Sequence, residues 1–174
     1  MGLYLVESSI KNIASSKEEV QQKTKALQEK LSEREASLVE LQVSKDFSRS
    51  FFIVEAKEQG VVTEILRAFG LPIQLVKEVR LVGKALDEVK NSHEVINYLV
   101  EWNIPENITM EQYLERKKKN SVHYQEVPEV SFSRTYVCED MTKCLCFYDA
   151  PDEEAVKRAR QAVQTPIDSI TEIL

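Results

Sequence analysis

The sequence predicts an α+β protein of two tandem ferredoxin-like βαββαβ units, packed as a pseudo-dimer in the manner of a dimeric α+β barrel. Three observations predict it. The chain matches itself at a single offset of 94 positions. Each half reads strand, helix, strand, strand, helix, strand. Each half is also short enough that its own core is marginal. The offset sets Tyr4-Leu5-Val6-Glu7 on Tyr98-Leu99-Val100-Glu101. It sets Ser37, Val43 and Asp46 on Ser131, Val137 and Asp140, and Pro72-Ile73 on Pro166-Ile167. Unrelated stretches would not hold one offset from the first strand to the last. The units span residues 1–82 and 95–174, joined by a polar linker at 83–94.

The elements follow in order. The first strand covers Leu3 to Glu7, and its copy runs from Ile96 to Trp102. Ser16 with Glu19 makes a capping box that opens a helix, and Thr109 with Gln112 repeats it one residue out of step. Ser37 to Ser44 and Ser50 to Glu55 form a hairpin, copied by Ser131 to Cys138 and Cys144 to Asp149. In the second helix Val62, Ile65, Leu66 and Phe69 recur at i, i+3, i+4 and i+7, giving one apolar stripe. Gly70 ends it and Pro72 prevents its continuation. Val156, Ala159 and Val163 hold the same stripe in the copy. The last strands are Gln74 to Val82 and Asp168 to Leu174.

A unit of this kind covers one sheet face with helices and leaves the other bare, so the two bare faces are expected to meet in a cleft. Side-chain alternation assigns residues to faces. A five-residue loop pairs Cys138 with Cys144, Tyr136 with Cys146, and Arg134 with Tyr148, which sets all six on the bare face of the second unit. Val137, Leu145 and Phe147 then face the helices. In the first unit Val39, Leu41, Val43, Phe51 and Ile53 face the helices, while Glu40, Gln42, Ser44, Ser50 and Phe52 face the cleft.

Composition excludes several classes. The formal net charge is −6, and the densest basic run, Arg116 to Lys119, sits at a helix end where cations complement the dipole. Nucleic acid is therefore not an expected partner. No run approaches the ~20 apolar residues of a membrane span. The N-terminus lacks the basic flank of a signal peptide, which points to the cytoplasm. Three cysteines without an export signal do not suggest a disulfide framework.

The second half reads Arg134-Thr135-Tyr136-Val137-Cys138-Glu139-Asp140, then Cys146-Phe147-Tyr148-Asp149-Ala150-Pro151, and ends Pro166-Ile167-Asp168-Ser169-Ile170-Thr171-Glu172. With the Tyr-Leu-Val-Glu strand, this set resembles the small bacterial DUF4242 family of nickel-responsive, ferredoxin-like proteins. The resemblance covers most of 95–174 and, more faintly, 1–82. Family members are homodimers of roughly half this length, so this chain looks like such a dimer fused, with further homo-oligomers allowed. The resemblance implies transition-metal binding or sequestration, with nickel as the cofactor. Where those members carry histidines, this sequence has Ser8 and Trp102, Ile65 and Ala159, and Phe69 and Val163.

Candidate sites divide into two groups. Cys138, Cys144 and Cys146 offer thiolates to a soft metal, with His123 as a fourth ligand; the plainer reading is three buried small hydrophobes. Glu7, Glu40, Glu101, Trp102, Arg134, Tyr136 and Tyr148 are candidates to line a ligand cleft. Glu101 and Arg134 can pair there, whereas Glu7 faces Glu40 with no base beside it, an arrangement that would raise a carboxyl pKa. Solvated rim charges are the plainer alternative. His93 and His123 read as exposed loop residues, and no nucleophile–base pair stands out. The expectation is a small non-enzymatic binding protein; the alternative is a small-molecule binder or enzyme using the cleft.

Overall fold

Capped amphipathic helices alternating with β-branched strands give both halves the same run of elements in the computed structural model, which describes residues 1–92 and 94–174. His93 lies outside the described residues. The chain divides into two compact units, Met1–Val79 with Leu174, and Arg80–Ile173.

The first unit contains β1 (Gly2–Ser8), α1 (Lys17–Ser32), β2 (Ser37–Val43), β3 (Ser50–Ala56), α2 (Gln59–Ala68) and the greater part of β4 (Leu75–Val82). The strands lie in the order β2-β3-β1-β4, all antiparallel. Ser16 caps α1 by accepting the Glu19 amide at 3.2 Å, as its position in the capping box demands. Gly70 ends α2 at φ +92°, a left-handed conformation that glycine adopts without steric cost. Val20, Leu27 and Leu31 of α1 and Val62 and Leu66 of α2 pack on Val6, Phe52 and Val54 of the sheet. Burying each large apolar side chain contributes about 1.5–3 kcal/mol.

The second unit adds α3 (Leu86–Lys90), then β5 (Tyr98–Asn103), α4 (Met110–Asn120), a 3-10 helix (Ser121–Glu126), β6 (Ser131–Cys138), β7 (Lys143–Asp149), α5 (Glu153–Ala162) and β8 (Ser169–Glu172). Its order, β6-β7-β5-β8, repeats that of the first unit. Two elements depart from expectation. The stretch read as a polar linker contains α3, whose Val89 is buried, and the loop after α4 winds into the 3-10 helix. Among the described residues no helix is long and apolar enough to cross a membrane.

The repeat extends to irregular backbone. Each hairpin has a bulge on its first strand, at Val39 and at Ser133, ninety-four residues apart. Each loop has a left-handed residue, Phe47 at φ +64° and Met141 at +62°. Before each sits an aspartate, Asp46 or Asp140, whose carboxylate accepts from Ser48 or Thr142 and closes the turn.

These loops correct the face assignment. Val137 opposes Cys144, Tyr136 opposes Leu145 and Thr135 opposes Cys146, so the loop holds six residues and the pairing slips by one. A one-residue slip turns the paired strand over. Cys144, Cys146 and Tyr148 therefore join Val137 on the helix side, in the unit's core. Leu145 and Phe147 share the other face with Tyr136 and Arg134, and Cys138 follows the parity of Tyr136. The bulge at Ser133 then brings Phe132, not Arg134, opposite Tyr148. In the first unit Leu41 and Val43 face the helices as expected, and Glu40 and Gln42 face away. Phe52 faces the helices rather than the opposite side, Phe51 and Ile53 do the reverse, and Val39 sits in the bulge.

Candidate functional site

The core of the second unit is not wholly apolar. Strand β7 brings Cys144, Cys146 and Tyr148 to the helix side, and α5 lays Arg160 against them with 2% of its surface exposed. Arg160 Nη1 donates to the Tyr148 hydroxyl at 3.2 Å, and Nη2 donates to the Pro166 carbonyl at 2.5 Å. Its Nε is buried without a hydrogen-bond partner. The Tyr148 hydroxyl shares a second hydrogen bond with Tyr124 of the 3-10 helix at 2.6 Å. On the sheet, Thr135 Oγ1 donates to Cys146 Sγ at 3.2 Å.

Beside Arg160 lies a cavity of about 20 Å³, lined by Trp102, Tyr113, Arg116, Lys117, Asn120, Ser121, Tyr124, Cys146, Arg160, Val163 and Thr165. That volume exceeds what one water molecule needs. Three of the lining residues are cationic and none is a carboxylate. Arg116 lies over the Trp102 ring at 5.5 Å, and its guanidinium donates to the Gln164 carbonyl at 2.5 Å, so it serves as a clasp across the rim. Tyr113 stands 6.2 Å from Trp102, ring to ring.

The charges are arranged around Cys146. The Cys144 thiol donates to it and lowers its pKa well below the ordinary thiol value; burial opposes this, and Lys117, Arg160 and Thr135 reinforce it. Cys144 as the donor is pushed the other way. Burial lowers the Arg160 pKa, but the neighbouring Cys146 and Tyr148 outweigh it and raise it above the ordinary arginine value. Burial also raises Tyr113 and Tyr124, and pushes Tyr148 up to about 12. The result is a cationic recess lined by hydroxyls and a thiol. Such a recess suits a small anionic ligand.

The residues expected to form sites are distributed differently. Glu7 accepts from Arg49 Nη2 at 2.9 Å, so the acid pair lacking a base is not what forms. Glu101 accepts from Lys143 Nζ at 2.8 Å. These two ion pairs stand at equivalent positions in the two units. Glu40 accepts from the neighbouring Gln42 amide at 2.9 Å. Arg134 donates to Ser133 Oγ at 2.7 Å, stands 3.8 Å from Glu94 and lies 5.2 Å over Phe147. Tyr136 tilts against Phe147 on that same face. Trp102 and Tyr148 belong to the helix side and to the core, not to the opposite face. The proposed cysteine–histidine set does not assemble. Cys138 is on the other face from Cys144 and Cys146, and His123 is exposed with Nδ1 2.6 Å from Glu126.

Arg160, Tyr113, Tyr124 and Lys117 were not among the sequence candidates, although the repeat itself carried a signal. At the offset that aligns the units, Phe52, Val54 and Leu66 fall on Cys146, Tyr148 and Arg160. Counted from the helix caps, Val20 falls on Tyr113. At these core positions the second unit has a thiol, hydroxyls and a guanidinium where the first has apolar side chains.

The sequence profile of the family described as "Nickel responsive protein SCO4226-like" matches residues 98–173. The second unit is similar to nickel-responsive proteins. No curated protein matches the chain. Among solved structures, a chlorite-dismutase candidate, TA0507, aligns over 100% of this chain and 95% of its own, at 13% identity and a TM-score of 0.58. A monooxygenase candidate, FN1347, from Fusobacterium nucleatum subsp. nucleatum aligns over 98% of this chain and 90% of its own, at 9% identity and a TM-score of 0.40. The first of these shows that the ferredoxin-like α+β fold is shared.

Proposed function

We propose that the protein is a small non-enzymatic binding protein whose ligand site is the polar pocket of the second unit. The observation that carries this reading is the buried Arg160, whose Nε lacks a partner beside a cavity in an otherwise packed core. A buried charge is costly unless compensated, and an apolar side chain at the same position would stabilise the fold without that cost. Its retention is explained by something it binds. The lining offers cations, hydroxyls and a thiol, a set that suits binding of a small polar ligand.

The test uses Trp102, the one tryptophan of the chain, which lines the cavity. Its fluorescence is followed while the full-length protein is titrated with sodium formate, formamide and nickel chloride. Asn120→Trp, at a half-buried lining position, is expected to block the cavity and abolish the response to whichever probe binds, as read by calorimetry. A response unchanged in that variant would refute the pocket as the site.

A metal-related role, with nickel bound or sequestered, is a second reading, favoured by the match of residues 98–173 to a nickel-responsive family. The donors in the pocket do not fit a resident nickel ion. Cys146 supplies one sulfur to the lining without imidazole, Arg160 and Lys117 add positive charge, and no group of three or more His, Cys, Asp or Glu converges among the described residues. A nickel isotherm that survives Asn120→Trp but is lost in Cys144→Ser/Cys146→Ser would support this reading; no heat on nickel addition would remove it.

A further inference from the structure

We propose that the occupant of this pocket is a small monovalent oxyanion of carboxylate size, held by the free Nε–H of Arg160 and the ammonium of Lys117. The inference rests on the pocket reading above and names its ligand class. The guanidinium is anchored on two sides, by the Tyr148 hydroxyl on Nη1 and the Pro166 carbonyl on Nη2, while its Nε–H has no partner. A buried N–H on a permanent cation is a strong donor to an anion and a poor site for a cation. Lys117 lines the same cavity and has its Nζ 4.4 Å from the Phe132 ring centre, which holds the side chain in place. No carboxylate among the lining residues competes for either cation. The volume of about 20 Å³ fits an occupant of a few heavy atoms.

The experiment compares sodium formate with formamide, which has nearly the same shape and no charge. Titrations follow Trp102 fluorescence at fixed ionic strength set with sodium gluconate, an anion too large to enter. Formate is expected to bind saturably and formamide not to bind. Lys117→Gln, at a partly exposed position, is expected to weaken formate binding about tenfold, as removal of a charge-assisted hydrogen bond does. Arg160→Gln is expected to abolish it; should that variant unfold, Lys117→Gln decides. Equal binding of formate and formamide, or formate affinity unchanged in Lys117→Gln, overturns the anion assignment. If formamide binds and Asn120→Trp abolishes it, the pocket reading stands while the anion assignment fails. If no probe responds to Asn120→Trp, both fail.

Discussion

The two units share strand order, register, bulges and turn chemistry, yet their cores differ. In the first, Phe52 lies between Val6 and Leu41 and packs with Val54 and Leu66. In the second, Cys146 lies between Val100 and Thr135, with Tyr148 and Arg160 in place of the valine and leucine. One backbone therefore supports a dry core and a polar pocket. The difference teaches that the fold is specified by elements common to both copies, while one copy is free to carry an expensive buried charge. The first unit is the internal control: it shows what the same architecture looks like when only packing is asked of it.

The comparison can be broken by exchanging residues between copies. Leu66→Arg transfers the guanidinium to the first unit without a tyrosine hydroxyl or a thiol beside it. An unpaired buried charge costs about 3–5 kcal/mol or more, so the first unit is expected to unfold at room temperature or in low urea, read by circular dichroism. The next largest effect contrasts equivalent sites. Phe52→Ala should cost about 3–5 kcal/mol through transfer and cavity terms, while Cys146→Ala should cost only about 1 kcal/mol; urea denaturation measures both. If the two costs are equal, the second core is as tightly packed as the first and the pocket is a misreading.

Two smaller effects sharpen the contrast. Tyr148→Phe removes the hydroxyl that bridges Arg160 and Tyr124, and should cost about 1–3 kcal/mol, because a buried guanidinium N–H loses its acceptor. The pH dependence should also differ. Tyr113, Tyr124 and Tyr148 all have folded-state pKa values above the ordinary 10.0, with Tyr148 at about 12. Their contribution to stability is fully present below pH 10 and is lost as pH climbs toward 12. Urea midpoints followed through Trp102, which reports on the second unit alone, should drop between pH 9 and pH 11. The drop should be smaller in Tyr148→Phe; an equal drop would place the titration elsewhere. The least effect is expected at the surface, where Ser16→Ala and Thr109→Ala should each cost about 1 kcal/mol in their own unit.

Much of this architecture is legible in the residues. The offset, the order of elements, the Ser16 and Thr109 caps and the Val62-Ile65-Leu66 stripe depend on neighbours a few positions away, and local chemistry suffices to read them. The site was less legible. The face of Cys144 and Cys146 turned on whether their loop holds five or six residues, a distinction that composition does not make. The pocket residues come from α4, the 3-10 helix, β6, β7 and α5, and nothing local marks Arg160 as buried rather than as one more helix arginine beside Arg158.

By itself, then, the sequence determined that two copies of one α+β unit would form, since periodicity, caps and turn residues act over short range and occur twice. Tertiary structure decided which sheet face each side chain takes. Strand register is a long-range pairing, and a left-handed Met141 with an aspartate before it shifts that pairing by one residue. It also decided that Arg160 would be enclosed, because burial belongs to the assembled sheet and helices and not to the residue's neighbours in the chain.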